Sequence, residues 1–420
     1  MPAALTALCL LAAIGTQNAE EDRLWKLVAT PLLKAELWST PDRGYTACAL
    51  LMVPLQSAFY DNNEARQKEF SDFFKRYMTT GKDKFTDWGN PPRMKMLQFL
   101  FMHSEFIRLA AAANKTELIP EGMPDFLASV VDRLWTRENS IAYNRGPFPS
   151  MKARLIYKLD LRNPKKSYER AIIDEEKFIF AIASDLVAYS RLSGKPVPHR
   201  GSIDEVVQAA YDVYSSYGSD QPGGGWIFGA GTWSDHQDYV YANDPKRGPD
   251  LRAMPVPGIG EDSSHSHRMP LWLTAQAAAY PESDPKHRFF LDLRSRLEKQ
   301  FFNKVLVPPT NDFPSFRTTN FMDGRNGVYR FNYKGLGEGG GHDAYELSGT
   351  FLLGWWTFLG SDRIRRTYQE QAAKFPLPEE LWKTYISGLS EDRRVEINTT
   401  KANNERGLLC RLAARIGGPR

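Results

Sequence analysis

Cysteine is scarce in this chain, three in 420 residues, and that rules out a disulfide framework. Cys9 falls in an opening segment that reads as a leader, so only one bridge, between Cys48 and Cys410, is open to the remainder. Cys48 sits in the apolar stretch TACALLMVPL and is expected in the core rather than as a nucleophile. Net charge is also small: 54 Lys and Arg against 50 Asp and Glu leave +4, scattered rather than gathered into a stripe. Nucleic acid is therefore not an expected partner, although a locally basic cleft for an acidic polymer stays compatible with the balance. Beyond the first nineteen residues no apolar run is long and charge-free enough to cross a bilayer. A fixed internal period is missing too, which argues against a helical solenoid.

What is present is a large supply of core-forming side chains, 42% hydrophobic and 12% aromatic, enough for one large domain or two ordinary ones. The first nineteen residues, MPAALTALCLLAAIGTQNA, carry no charged side chain and an apolar run from Ala3 to Ile14. They read as a signal peptide, 1–19, and imply export to a periplasm or the exterior, with a buried first helix as the competing account because no basic residue precedes the apolar run. The body, 20–392, shows apolar residues at helical spacing in about a dozen segments. These run from Leu24 to Trp38, Tyr45 to Tyr60, Ala65 to Met78, Met94 to Ala113, Pro124 to Trp135 and Asp174 to Leu192. The pattern resumes at Ile203 to Tyr217, Met269 to Tyr280, Arg288 to Phe302, Ala344 to Leu359, Asp362 to Ala373 and Glu379 to Leu389. Strand-like alternation is confined to Ala153 to Leu159 and Val328 to Tyr333. The expected fold class is mainly α, an (α/α) toroid or barrel of antiparallel helical hairpins with long active-site loops. A tail, 393–420, is expected to fray.

Two long connections, Ser219 to Pro270 and Asn311 to Glu346, are rich in Gly, His and aromatics, a composition that argues for ordered, functional loops. They hold four of the seven histidines, His236, His265, His267 and His342. In EDSSHSHR, His265 and His267 alternate and in an extended segment would face one side, with Arg268 at the mouth of the next helix. A second reading of the histidines is a divalent metal site, but no specific ligand spacing such as HExxH supports it; no cofactor is required otherwise. In DGRNGVYRFNYKG, Arg325 and Arg330 offer planar forks for a carboxylate, Asn326 and Asn332 amide donors, and Tyr329 and Tyr333 phenols able to move a proton if a nearby cation lowers their pKa. A plain solvated hairpin is the competing account of the same residues. Gly335, Gly337 and Gly340 match GxGxxG without the surrounding βαβ unit, so the match is read as chance and His342 as capping the helix that follows. Trp226, Phe228, Trp233, Tyr239 and Tyr241 are candidates for stacking on sugar rings, or else pack the loop against the core.

WSDHQDYVYAND, EDSSHSHRMPLW, and RNGVYRFNY with GEGGGHDAYE resemble the α/α-toroid polysaccharide lyases, in particular the alginate and glucuronan lyases of polysaccharide lyase family 38. The resemblance covers about a third of the chain. It implies β-elimination on a uronic-acid polymer, with His267 and then His265 as base or neutraliser, Tyr329 and then Tyr333 as acid, and Arg325, Arg330 and Asn326 holding the carboxylate. His236, His342, Arg268, Asn144 and Arg145 are further substrate contacts under that reading. The rival enzyme is a toroidal glycoside hydrolase using two of Glu261, Asp262, Glu338, Asp343 and Glu346. A noncatalytic exported glycan-binding protein is the third reading.

Overall fold

A computed structural model describes residues 19–84, 92–142, 145–162, 165–387 and 398–416. The leader expected at 1–19 lies outside this range apart from its last residue, as does Asn144. The chain is mainly helical. The first helix, α1, covers 19–34, followed by α2 (Pro41–Tyr60), α3 (Glu64–Thr80), α4 (Pro92–Ala112), α5 (Met123–Thr136), α6 (Met151–Leu159), α7 (Asp174–Ser193) and α8 (Arg200–Ser216). A short turn α9 (Ser263–Ser266), then α10 (Met269–Ala278), α11 (Pro285–Gln300), α12 (Asp362–Ala372), α13 (Glu379–Tyr385) and α14 (Thr399–Ile416) complete the set. Three two-stranded antiparallel ribbons decorate them: β1 (Ser140–Ala142) with β2 (Arg145–Phe148), β3 (Gly218–Gln221) with β4 (Gly225–Phe228), and β5 (Leu306–Val307) with β6 (Arg317–Thr318).

Local chemistry explains the boundaries. Thr40 accepts from the Arg43 amide at the start of α2 and Pro41 fills its first turn, where a missing N–H costs nothing. Helix α7 opens with Asp174, Glu175 and Glu176, whose charges complement the positive end of the helix, and it stops at Gly194 with φ 70°. Every residue of α7 from Asp174 to Tyr189 is buried, the mark of a helix covered on all sides. It is packed against α4, α5, α8 and α10. Contacts also run from α2 to α4, from α10 to the 3-10 turn Trp355–Leu359, from that turn to α14, and from α14 back to α2.

Four expectations are corrected. Ala153 to Leu159, read as strand-like, is α6, with Ser150 capping the Ala153 amide. Val328 to Tyr333 forms only a single bridge, Tyr329 with His342, because Arg330 and Asn332 take left-handed φ of 58° and 56°. The helix expected from Ala344 to Leu359 breaks into two 3-10 segments, Ser348–Leu353 and Trp355–Leu359. Tyr345 at φ 71° and Gly354 at φ 83° interrupt it, and a Cβ at Gly354 would stand 3.1 Å from the Leu409 carbonyl of α14. The tail expected to fray carries α14, which buries Leu408, Leu409, Cys410 and Leu412. Cys48 and Cys410 are both buried and unbridged, and burial pushes both thiols up, which suits core residues rather than nucleophiles. Among the described residues no helix is long and apolar enough to cross a membrane.

Candidate active site

The sequence Asp262-Ser-Ser-His265 is a helix start in miniature. Asp262 stands at the N-cap of α9 and accepts from the Ser264 and His265 amides. The same carboxylate takes the His265 side chain, Nδ1 lying 2.9 Å from Oδ1 and 2.8 Å from Oδ2. An ionised carboxylate only accepts, so Nδ1 carries the proton and Nε2 is the nitrogen left to react. Asp262 also accepts the Tyr239 hydroxyl at 2.8 Å and the hydroxyls of Ser264 and Tyr329. Burial alone would raise the Asp262 pKa, but the His265 charge, these bonds and Arg330 hold it well below the usual carboxylate range. Burial likewise opposes charge on His265, yet the field of Asp262 and its hydrogen bond outweigh that and raise the imidazole pKa above 6.5.

His265 faces a cavity of about 430 Å³, within the range of small-ligand sites. One wall is aromatic: Trp233 is stacked on Tyr239 with centroids 5.1 Å apart and planes 11° from parallel, and His236 meets the edge of Trp233. Met94, Ile141, Ala142 and Ile173 add apolar lining. Arg330, Asp238, Tyr329 and Tyr333 line the cavity as well, together with Asp174, Glu175 and Glu261. A larger depression of about 510 Å³ between α3 and α5 contains no histidine or arginine and is open on the surface.

Arg330 is held in its left-handed conformation from both ends. Its amide donates to the Asp238 carbonyl at 3.0 Å, and its Nε donates to Asp238 Oδ2 at 3.0 Å. The guanidinium carbon lies 5.0 Å from the Tyr329 ring and 4.8 Å from that of Tyr333. A non-glycine residue at positive φ costs free energy, and such strain collects at functional sites. Gly327 makes the position of this segment attainable: a Cβ there would collide with the Ala242 carbonyl. The cavity carboxylates are spoken for. Asp174 meets Arg268 at 3.2 Å, Glu175 meets Arg154 at 2.7 Å, and Glu261 meets Lys177 at 2.6 Å. Burial still leaves the Glu261 pKa raised.

The structure sorts the candidates named from sequence. It brings together His265, His236, Arg330, Tyr329, Tyr333, Trp233 and Tyr239 on one cavity. His267 is not among them. Its Nδ1 donates to the Ser264 carbonyl at 2.7 Å and its ring meets Trp355; burial and the neighbouring Arg268 drive its pKa well down, so it is a neutral core histidine. The expected alternation fails because 263–266 is helical, not extended. Arg268 braces Asp174 and donates to the Tyr45 hydroxyl at 2.6 Å. Arg325 is paired with Asp323 and reaches the Pro257 carbonyl, outside the cavity. Asn326 is structural, its Oδ1 accepting from the Asn320 and Tyr345 amides at 3.2 and 2.9 Å. His342 caps no helix; its backbone bridges Tyr329, and burial with Arg330 and Arg247 takes its pKa down to about 4. Trp226 is buried on β4 beside Phe228. Arg145 lies on β2, opposite Ala142. Tyr329 departs from expectation in a further way: burial and Asp262 push its pKa well up despite Arg330. Among the described residues no group of three or more His, Cys, Asp and Glu side chains is placed to hold a metal ion.

Sequence reasoning passed over Asp262 as the partner of His265, Asp238 as the partner of Arg330, and the acidic opening of α7. The first was visible as the N-cap spacing Asp-x-x-His; the other two depend on long-range packing. No family model, curated protein or solved structure matches the chain.

Proposed function

We propose that this protein is an exported polysaccharide lyase that cleaves a uronic-acid-containing polymer of the alginate or glucuronan type by β-elimination, on an (α/α) toroid. The observation that carries the reading is His265, held by Asp262 through Nδ1 and facing the same cavity as Arg330 and Tyr333. For the toroid, the support is the closed succession of contacts α2, α4, α7, α10, the 355–359 turn, α14 and α2 again. The body 20–392 would then need α14 to complete it. Export rests on the uncharged apolar opening at 1–19.

In this mechanism Arg330 binds the C6 carboxylate with its terminal amino groups while Nε stays on Asp238, offsetting charge that builds on the carboxylate as the C5–H bond weakens. His265 Nε2 removes the C5 proton; that electron pair forms the C4–C5 double bond as the C4–O bond breaks. Tyr333, exposed at the rim, donates its proton to the departing glycosidic oxygen. Asp262 keeps the imidazole in one tautomer and stabilises the imidazolium. Tyr329 and Tyr239 hold Asp262 in turn, and Trp233 offers a face to a sugar ring.

The test is incubation of the purified chain with alginate, glucuronan and a neutral glucan while the ultraviolet absorbance of the conjugated unsaturated uronate is followed. A rise with one uronan that disappears in His265→Gln is the expected result. New reducing ends without that chromophore would replace elimination by hydrolysis, with Glu261 as the acid, since it is a cavity carboxyl with a raised pKa. Uronan binding with no new ends would replace it by the binding protein.

A further inference from the structure

Helix α4, which opens at the candidate site, closes on a second cavity. It places Met94 in its first turn at the first cavity and Arg108 near its C-terminal end at the second, about 21 Å apart along the helix at 1.5 Å per residue. This second cavity has a volume of about 320 Å³ and is lined by Gln56, Arg108, Thr274, Arg294, Phe358 and Gly360, among others.

Its two arginines differ. Arg108 is balanced: Nη2 is bonded to Glu105 and Nε lies 3.0 Å from Asp185 Oδ1. Burial and the Glu105 charge push the Asp185 pKa up, while Arg108 pulls it down, so the guanidinium is matched within its own cluster. Arg294 has no such partner. Its Nη1 donates to the Thr274 hydroxyl at 3.1 Å, and among the described residues no carboxylate lies within ion-pairing distance. Glu298, one helical turn along α11, is bonded to the Ser361 hydroxyl. The carbonyls that end α2 and α4 do not substitute for a counter-ion, because following amides take them: Asp61 on Ser57, Asn62 on Phe59, Ala113 on Leu109 and Lys115 on Ala110. The guanidinium is set against Gly360, where a Cβ would stand 3.2 Å from its central carbon. Burial weighs against this charge and lowers the Arg294 pKa, with the more distant Glu298 charge opposing it, and a half-buried cation without a paired carboxylate is an arrangement folded proteins rarely keep.

We infer that Arg294 and the cavity around it form a second binding site, separate from the candidate active site, that takes a small oxyanion, either a carboxylate or a phosphate group. The planar fork of Arg294 meets two oxygens of the ligand, Arg108 flanks it, and Phe358 supplies an apolar side.

Thermal melts of the full chain at constant ionic strength, titrated separately with inorganic phosphate and with glucuronate, test this. Arg330→Gln is the background, so that the first cavity cannot answer for the second. A saturable rise in Tm with phosphate alone assigns a phosphate ligand, a rise with glucuronate alone assigns a carboxylate, and either supports the site. Adding Arg294→Gln should weaken the response roughly ten- to a hundredfold, and Arg294→Lys, which keeps the charge and loses the fork, should weaken it less. No saturable rise with either anion, or a rise that Arg294→Gln and Arg294→Lys leave unchanged, overturns the proposal.

Discussion

Asp262 engages the Nδ1 proton of His265 with both carboxylate oxygens, at 2.9 and 2.8 Å, while Tyr239, Tyr329 and Ser264 donate to the same group. A buried carboxylate with this many donors stays ionised, and its charge is what lets a half-buried imidazole keep a raised pKa.

The pH dependence follows. His265 must be neutral to act as a base, so the rate should climb as pH rises through its pKa, which lies above 6.5. Asp262→Asn removes the charge that raises it; the rising limb should shift to lower pH and the plateau should fall roughly a hundred- to ten-thousandfold. Stability carries the same signature. The depressed Asp262 contributes stability that is present above its ordinary value of 3.8 and is lost as pH falls through the folded one. The raised His265 contributes stability that is full below 6.5 and is lost as pH rises through its folded pKa. Denaturant melts across pH should therefore show the Asp262→Asn difference at its largest between 3.8 and 6.5.

The two neighbouring histidines should separate cleanly. His265→Gln is expected to abolish turnover and, in melts run above the folded pKa of the imidazole, where its charge no longer adds stability, to shift the urea midpoint little, because the ring is at the cavity wall. His267→Ala should cost about 1–3 kcal/mol in the same melt, for the lost packing on Trp355 and the orphaned Ser264 carbonyl. Equal stability losses in the two variants would contradict this division.

Arginine substitutions should divide in the same manner. Arg330→Lys keeps the charge but loses the fork, and kcat/KM on the cleaved uronan should fall roughly ten- to a hundredfold. Arg325→Ala, on a partly buried pair with Asp323 outside the cavity, should leave kcat/KM unchanged and shift stability by about 1 kcal/mol. A matching loss in Arg325→Ala would return that residue to the site.

Long helices were legible because their apolar periodicity and their caps agree, as in α2 and α7. The stretch 344–359 was not, since it is as apolar as a helix and only the approach of α14 makes Gly354 a breaking point. The candidate site was legible as a region and less so as a set of roles. His265 and His267 are alike in sequence; a single turn capped by Asp262 turns one to the cavity and the other to Trp355. Arg330 and Arg325 are likewise equivalent until Asp238, far back in the chain, selects one of them.

Helix α14 should prove indispensable. Leu409 is fully buried in it, and Leu409→Ala should cost about 2–5 kcal/mol in denaturant melts. Truncation before Thr399 should leave no cooperative transition; a truncated chain that melts sharply and keeps its activity would show α14 to be an appendage.

The contact between α14 and α2 also sets an order of events during synthesis. Arg415 joins Glu21 at 2.9 Å and Asp61 across almost the whole chain, and Trp355 donates to the Ala49 carbonyl over a separation of 306 residues. At ribosomal speed the first two helices wait tens of seconds for these partners to emerge. Throughout that interval the apolar side of α2 that α14 will cover is bare, so the nascent chain depends on being shielded, and its native state is reached as a late event rather than assembled from the N-terminus onward.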